Sequence, residues 1–181
     1  LFFQNGFLYE STGLKGSSSV RKVDLGTGKV LQKKDLAPEL FGEGITGIGN
    51  DIVSITWTSQ VGFVFDMKSF KLRQSLTYTG EGWGLANDGQ RLYMSDGSSS
   101  IRLLHRTTLA ETGRIQVTAE GKPIERLNEL EWVDGELFAN IWGTDVIARI
   151  NPTTGKVQGW IDLTGLLEPA RRGTSSPDAV L

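Results

Sequence analysis

The sequence predicts an all-β protein of the propeller type, because a regular unit recurs along it and turn residues separate short apolar runs. A unit of about 40–45 residues recurs four times, and periods of this size are typical of propellers and solenoids. Runs rich in Val, Ile, Leu, Phe and Tyr at a spacing of ~8–12 residues favour strands over helices. A β-sandwich is the second choice, since it does not require so regular a repeat.

The second and third strands of each unit are the clearest parts of the repeat. The second strands begin near Leu8, Ile52, Leu92 and Leu137. The third strands are predicted at residues 20–24, 62–66, 101–105 and 146–151. Turn residues follow in Gly26-Thr27-Gly28, Asn87-Asp88-Gly89, Asp134-Gly135 and Pro152-Thr153-Thr154-Gly155. Only residues 163–172 favour a short helical turn, so we expect four antiparallel blades.

Composition excludes several classes of function. The formal net charge is -2 with no basic tract, so nucleic acid is not an expected partner. The absence of cysteine removes disulfides, thiol catalysis and thiolate metal sites. No apolar run is long enough to span a bilayer, so we expect no membrane partner. With 38% hydrophobic residues, residues 1–181 suffice for a single packed domain, which we expect to be monomeric.

The geometry of a propeller predicts where a site would form. The first two strands of a blade form the hairpin nearest the axis, so first-strand starts lie beside second-strand ends. The starts carry Phe41-Gly42-Glu43-Gly44, Glu81-Gly82-Trp83-Gly84 and Leu127-Asn128-Glu129-Leu130, and the ends carry Trp57, Asp96 and Trp142. We therefore predict one aromatic pocket with a carboxylate and an amide at one end of the channel, which is the usual composition of a ligand site.

Each of these residues also has an ordinary structural interpretation. Propeller tryptophans often pack between blades, and Trp132 and Trp160, which lie outside the shared positions, are expected to do only that. Glu43 can be a turn carboxylate, and Asn128 can cap a strand through its backbone. A single histidine, His105, supplies neither a His-rich metal site nor a His-supported triad, and it is expected to be solvated.

One motif has a misleading form. Residues Gly42-Glu43-Gly44-Ile45-Thr46-Gly47 satisfy the G-x-G-x-x-G pattern of dinucleotide-binding loops. That interpretation requires a strand before the motif and a helix after it. A β-rich stretch follows here, and the Glu43 carboxylate would repel a pyrophosphate, so we reject a nucleotide site.

The same segments together resemble the plant and bacterial glutaminyl cyclases along essentially the whole chain. The matching segments are Leu8-Tyr9-Glu10-Ser11-Thr12-Gly13, Phe41-Gly42-Glu43-Gly44, Ile55-Thr56-Trp57, Gly62-Phe63-Val64-Phe65-Asp66, Gly80-Glu81-Gly82-Trp83-Gly84-Leu85, Met94-Ser95-Asp96-Gly97-Ser98, Leu127-Asn128-Glu129-Leu130-Glu131 and Gly159-Trp160-Ile161-Asp162-Leu163. The resemblance implies a five-bladed β-propeller of periplasmic or secreted location. It implies conversion of the N-terminal glutamine of a peptide or protein to pyroglutamate with release of ammonia, without metal or other cofactor.

The resemblance also assigns roles to individual residues. Glu43 corresponds to the family's catalytic carboxylate, and Asn128 to its amide-binding residue. The aromatic pocket walls correspond to Phe41, Trp57, Trp83 and Trp142. In this chemistry the substrate's own amine attacks its γ-carboxamide, Glu43 carries the proton to the leaving ammonia, and Asn128 holds the developing oxyanion.

Family members usually have a strand before the position of Leu1 and a closing segment, with a pocket lysine, after Leu181. The chain is therefore expected to supply about four blades, either as part of a five-bladed enzyme or as a shortened form. Two other functions remain open. One is a non-catalytic propeller that binds peptides or sugars in the aromatic pocket. The other is a metal-dependent hydrolase that uses Glu43, Glu81, Asp96 and Asn128.

Overall fold

The computed structural model describes residues 1–166, which form four antiparallel four-stranded sheets and one short hairpin. Blade 1 contains β1 (Phe2–Gln4), β2 (Phe7–Thr12), β3 (Ser19–Asp24) and β4 (Val30–Asp35). Blade 2 contains β5 (Gly42–Ile48), β6 (Asp51–Thr56), β7 (Val61–Asp66) and β8 (Leu72–Thr77). Blade 3 contains β9 (Leu85–Asn87), β10 (Arg91–Met94), β11 (Ser100–His105) and β12 (Glu111–Gln116). After the hairpin of β13 (Thr118–Ala119) and β14 (Lys122–Pro123), blade 4 contains β15 (Leu127–Val133), β16 (Glu136–Ile141), β17 (Val146–Ile150) and β18 (Val157–Asp162).

Strand order in every sheet follows the order of the chain, so each blade is a simple meander. The first strands of neighbouring blades contact one another, β5 with β9 and β9 with β15, which makes them the innermost strands. This arrangement confirms the predicted all-β propeller architecture, and the alternative of a sandwich is wrong. The predicted second and third strands lie within one or two residues of the observed ones.

Tight turns close the inner hairpins as the sequence predicts. Asp134 and Gly135 both have positive φ, 47° and 86°, and they join β15 to β16 with Val133 paired to Glu136. Two consecutive positive φ values define the two-residue turn whose twist matches that of the flanking strands. Asn-Gly and Asp-Gly sequences favour this turn, and the chain therefore specifies where the inner hairpin reverses.

A side-chain acceptor at the end of the third strand, or directly after it in blade 4, shapes the outer turn of every blade. It takes hydrogen bonds from the turn residues that follow, and the acceptors are Asp24, Asp66, His105 and Asn151. His105 is exposed and accepts through Nδ1 from the backbone N–H of Thr107 at 3.3 Å. The histidine thus stands where the other blades use a carboxylate or an amide, as turn chemistry requires.

The apolar core is divided into three clusters, each between two adjacent blades. Tyr9 of blade 1 packs in one cluster with Ile45 and Phe65 of blade 2. The second cluster joins blades 2 and 3, and the third joins blades 3 and 4. Burial between blades holds the inner strands at a fixed spacing, which in turn positions the residues at their starts.

The last described residues, after β18, form a short turn. Leu163 to Leu166 form a turn closed by a hydrogen bond between the N–H of Leu166 and the carbonyl of Leu163. The rest of the predicted helical turn over residues 163–172 lies outside the described residues. Across residues 1–166, no helix is long and apolar enough to cross a membrane.

Candidate active site

Glu43 and Asn128 both lie in β-bulges at the start of an inner strand. In blade 2, Gly42 pairs with Thr56 and Ile45 with Ser54, so β5 contains one residue more than its partner. In blade 4, Leu127 pairs with Ile141 and Leu130 with Ala139, which gives β15 the same extra residue. Bulges redirect side chains and occur often beside active sites. They turn Glu43 and Asn128 out of the regular alternation of the strand.

Glycines allow the bulges of adjacent blades to approach closely. The N–H of Gly44 donates to the carbonyl of Trp83 at 2.7 Å, and a Cβ on Gly44 would lie 2.6 Å from the backbone nitrogen of Leu85. A Cβ on Gly84 would likewise lie 2.7 Å from Cα of Glu129. This backbone contact places three residues at corresponding positions of three consecutive blades, namely Glu43, Trp83 and Asn128. The G-x-G pattern at residues 42–47 lies inside β5, which confirms that it is no nucleotide loop.

The four aromatic residues that the sequence singles out form two edge-on pairs. The Phe41 and Trp57 ring centroids are 5.7 Å apart at an interplanar angle of 67°. Those of Trp83 and Trp142 are 6.3 Å apart at 65°. Such edge-to-face contacts are among the preferred aromatic geometries. Trp57 and Trp142 follow directly after β6 and β16, so the rings lie at the predicted end of the inner hairpins.

Glu81 joins the two aromatic pairs. Its Oε2 accepts the indole N–H of Trp57 at 2.7 Å and that of Trp83 at 2.8 Å. The result is a connected arc from Phe41 through both indoles to Trp142. From the sequence, Glu81 is predicted at a strand start and as a candidate group only in the metal-dependent alternative, so its bonds to the two indoles are not predicted. The sequence does contain one signal for a role of Glu81 in the pocket, which is its position in the repeat. The segment Glu81-Gly82-Trp83-Gly84 aligns with Phe41-Gly42-Glu43-Gly44.

Glycines at the ends of other second strands make room for these rings. A Cβ on Gly97 would lie 2.6 Å from the ring of Trp83, and one on Gly13 would collide with the ring of Phe41. In the repeat alignment the positions of these two glycines correspond to those of Trp57 and Trp142. At this position, successive blades therefore alternate between a glycine that a ring packs against and a tryptophan.

The Glu43 carboxylate lies close to a buried tyrosine. Burial raises the pKa of the Tyr78 hydroxyl, and the charge of Glu43 adds to that rise. The Tyr78 oxygen accepts the backbone N–H of Thr56 at 3.1 Å and donates to the carbonyl of the same residue. Glu43 itself is partly buried. The carboxylate is therefore within electrostatic range of the polar end of an otherwise apolar cluster.

Asn128 is buried, with 7% of its surface exposed. The backbone carbonyl of Asn128 accepts a hydrogen bond from the Ser95 hydroxyl at 2.6 Å. The oxygen of the same hydroxyl accepts a hydrogen bond from the backbone N–H of Gly84 at 2.7 Å. Asn128 also lines a cavity of about 320 Å³ between blade 4 and blade 1, together with Glu10, Glu129, Glu131 and Asn140. The structure thus ties the backbone of Asn128 to that of blade 3 through Ser95, and Asn128 also lines the cavity between blades 4 and 1.

Arg126 borders the Trp142 end of the arc in a strained conformation. Its φ of 63° is left-handed, a region that residues other than glycine rarely adopt. Its N–H donates to the carbonyl of Gly97 at 2.8 Å, and its carbonyl accepts from the N–H of Trp142 at 2.9 Å. The guanidinium carbon lies 5.8 Å from the centroid of the Trp142 ring. The rim of the arc therefore ends in an exposed positive charge.

The other candidates are used elsewhere. Trp132 stacks on Tyr93 with centroids 5.4 Å apart, and Trp160 is 48% exposed on the outermost strand β18. The Asp96 carboxylate accepts from the N–H and hydroxyl of Ser98 within its own turn. Among residues 1–166, no three histidine or carboxylate groups converge as a metal site would require, so Glu43, Glu81 and Asp96 do not form one.

Three comparisons give consistent results. The model of the glutamine cyclotransferase family matches residues 1–181. The chain is 41% identical over 178 residues to a glutaminyl-peptide cyclotransferase of Arabidopsis thaliana, covering 96% of this chain and 56% of that protein. It superposes on the crystal structure of Myxococcus xanthus glutaminyl cyclase with a TM-score of 0.84 at 32% identity, covering 90% of this chain and 68% of the other. The WD40 propeller domain of Doa1, at a TM-score of 0.60 and 12% identity, shares the fold alone. The chain spans little more than half the length of the Arabidopsis relative.

Proposed function

Since the chain belongs to the glutamine cyclotransferase family, we propose that it carries the pocket of an enzyme that converts N-terminal glutamine to pyroglutamate. The observation that carries the proposal is the position of Glu43. It stands in a bulge next to Gly44, whose N–H donates to the carbonyl of Trp83, one of the four aromatic residues of the arc. Its substrates are peptides or proteins that begin with glutamine.

The reaction needs no nucleophile from the protein. The α-amino nitrogen of the substrate attacks the γ-carboxamide carbon, so a C–N bond forms within the glutamine residue. The bond to the amide nitrogen then breaks, and that nitrogen leaves as ammonia after it gains a proton. One proton leaves the attacking amine and one reaches the leaving group, so the atoms balance without oxidant, reductant or water.

The aromatic arc supplies orientation. A glutamine side chain is flexible, and ring closure requires the amine to approach the carboxamide carbon closely. Holding reacting groups in such a geometry is worth up to roughly 7–11 kcal/mol in favourable cases, and five-membered closure has part of it built in. Ring walls from Phe41, Trp57, Trp83 and Trp142 favour the folded side chain and keep water away from it.

Glu43 is the proposed proton carrier. As a carboxylate, Glu43 takes the proton from the attacking amine, and as the carboxylic acid so formed it delivers that proton to the departing nitrogen. Desolvation beside aromatic side chains favours the neutral acid that forms between the two transfers. Without that proton the nitrogen would have to leave as the amide anion, a far poorer leaving group than ammonia, so this transfer is a step that the protein can accelerate.

Asn128 is the proposed stabiliser of the oxyanion. The γ-carbonyl oxygen gains negative charge as the amine attacks, and an amide N–H aimed at it lowers the barrier. Support comes from the position of Asn128, which corresponds to that of Glu43 two blades away and is held by the Ser95 hydroxyl. We further propose that the reaction is independent of metal ions, because the carboxylates near the arc do not converge.

The test is ammonia release from a dipeptide that begins with glutamine, measured with the full-length protein. The expected result is steady release with a stoichiometric amount of pyroglutamyl product, unchanged by EDTA. A matched dipeptide that begins with asparagine would have to close a strained four-membered ring and should release nothing. Peptide binding without ammonia would favour a non-catalytic binding module, and loss of activity in EDTA would favour a metal-dependent enzyme.

A further inference from the structure

We propose that Glu81 is a positioning residue that holds the indoles of Trp57 and Trp83 at a fixed spacing. In doing so it sets the width of the slot that receives the glutamine side chain. This inference rests on the proposed function, because it names the residue that organises the same pocket. Glu81 need not touch the substrate; it acts through the two rings.

The geometry is that of a shared acceptor. One oxygen, Oε2, takes both indole N–H groups, at 2.7 Å from Trp57 and 2.8 Å from Trp83. The two indole nitrogens therefore lie within two hydrogen-bond lengths of each other. Hydrogen bonds to an ionised carboxylate are shorter and about twice as strong as those between neutral groups. A single side chain thus fixes the distance between two walls of the pocket.

Backbone hydrogen bonds hold the segment around Glu81 in place. The N–H of Gly82 donates to the carbonyl of Trp57 at 2.9 Å, and the N–H of Trp83 donates to the carbonyl of Ser95 at 3.0 Å. A Cβ on Gly82 would lie 2.7 Å from the hydroxyl of Tyr78, so the segment is held closely against blade 2. Because Trp57 follows β6 of blade 2 and Trp83 lies just before β9 of blade 3, Glu81 links two blades.

The two indoles depend on Glu81 to different degrees. Trp57 is 39% exposed and packs edge-on against Phe41, so little else fixes the rotation of its ring. Trp83 is partly buried and also packs against Gly97, where a Cβ would lie 2.6 Å from its ring. Loss of the carboxylate should therefore release Trp57 much more than Trp83. That asymmetry separates a positioning role from a general loss of structure, which would disturb both rings.

The experiment compares Glu81→Leu, Glu81→Gln and the control Glu125→Gln in the full-length protein. Glu125 is an exposed carboxylate in the segment before β15 of blade 4, so its replacement should change nothing. Because small misplacements of positioned groups can cost up to ~100-fold, Glu81→Leu should lower kcat/KM for a Gln-initiated dipeptide by about 10- to 100-fold. Glu81→Gln should recover part of the loss, since its carboxamide oxygen still accepts the two N–H groups.

A second background separates positioning from direct contact with the substrate. In a Trp57→Phe protein, which keeps a ring but has no N–H, Glu81→Leu should cost much less than in the wild type. An equal loss in both backgrounds would show that Glu81 acts without the Trp57 indole, and unchanged kcat/KM in Glu81→Leu would show that it does not act at all. Either result overturns the inference.

Indole N–H resonances provide a readout that does not depend on catalysis. In wild-type protein, both the Trp57 and the Trp83 signals should lie downfield, as expected for protons bonded to a carboxylate. Glu81→Leu should move and broaden the Trp57 signal most, while unfolding curves stay close to the wild type. If the indole signals do not move in Glu81→Leu, the inference is overturned, whether or not the protein releases ammonia. If the signals move but the wild-type protein releases no ammonia, Glu81 still positions the two indoles and the proposed function is rejected.

Discussion

Glu43 and Asn128 occupy the same position in two different blades. Each is the first residue of a bulge at the start of an inner strand, and each stands two residues before the next pair of the ladder, Ile45 with Ser54 and Leu130 with Ala139. Trp83 takes the corresponding position in the blade between them. Corresponding positions of three consecutive blades therefore carry a carboxylate, an indole and an amide, two of them in bulges. The repeat thus has similar backbone geometry in these blades, while the side chain at this one position differs in its chemistry.

Replacement of Asn128 by Ala should affect turnover more than binding. If its amide stabilises the oxyanion, kcat for a Gln-initiated dipeptide should fall by about 100- to 1000-fold, with a smaller change in KM. The control Asn50→Ala removes an exposed amide from a turn at the far end of β5 and should leave kcat unchanged. Steady-state kinetics on both proteins decide the matter, and a rise in KM alone would reassign Asn128 to substrate binding.

Replacement of Gly84 by Ala should destabilise the propeller by separating two blades. The new Cβ would meet backbone atoms of residues 128–130, which cannot rotate away as a side chain can. We expect a loss of about 1–3 kcal/mol or more in the free energy of unfolding, measured by urea denaturation. The control Gly113→Ala places its Cβ 3.6 Å from the Leu103 side chain, an ordinary contact, and should change stability by less than ~0.5 kcal/mol. Equal stability of the two variants would contradict the close contact between inner strands.

Replacement of Glu131 by Gln should stabilise the protein at neutral and alkaline pH. Burial raises the pKa of Glu131 from 4.5 to about 7, and repulsion from Glu129 adds to the rise. The folded state then binds a proton that the unfolded state releases, so stability falls as pH rises from about 4.5 to 7. Gln carries no charge, and its gain should be near zero at pH 4 and on the order of 1–3 kcal/mol at pH 8. Urea unfolding of both proteins across this range tests the slope, and parallel curves for wild type and variant would reject the raised pKa.

The sequence alone predicts much of the fold, and the reasons are local. The four-strand repeat is visible because each inner hairpin and outer turn needs residues of a particular kind, such as Asp134-Gly135 and the acceptor at Asp24. The positions of Trp57 and Trp142 at the ends of second strands follow from the same alignment. The bulged position of Glu43 also agrees with its place between two glycines, since bulges tolerate and often use them.

Contacts between blades are what the sequence does not predict. Glu81 lies 24 residues from Trp57, and the choice of an indole N–H as its partner depends on rotamers in two blades. The cavity beside Asn128 arises from the relative positions of blades 4 and 1, which no local pattern encodes. The burial of Glu131 has the same origin. Local rules thus identify the residues at the channel, whereas packing between repeats decides which of them meet.

The most direct measurement compares ammonia release from a Gln-initiated dipeptide by the full-length wild-type protein and by its Glu43→Gln variant. We predict steady release by the wild type and none above background by the variant, with the same melting temperature for both. Gln preserves the shape of the side chain but cannot carry the proton to the leaving nitrogen. Substantial activity in the variant would remove Glu43 from its central role. No ammonia from the wild type would reject the cyclotransferase function itself.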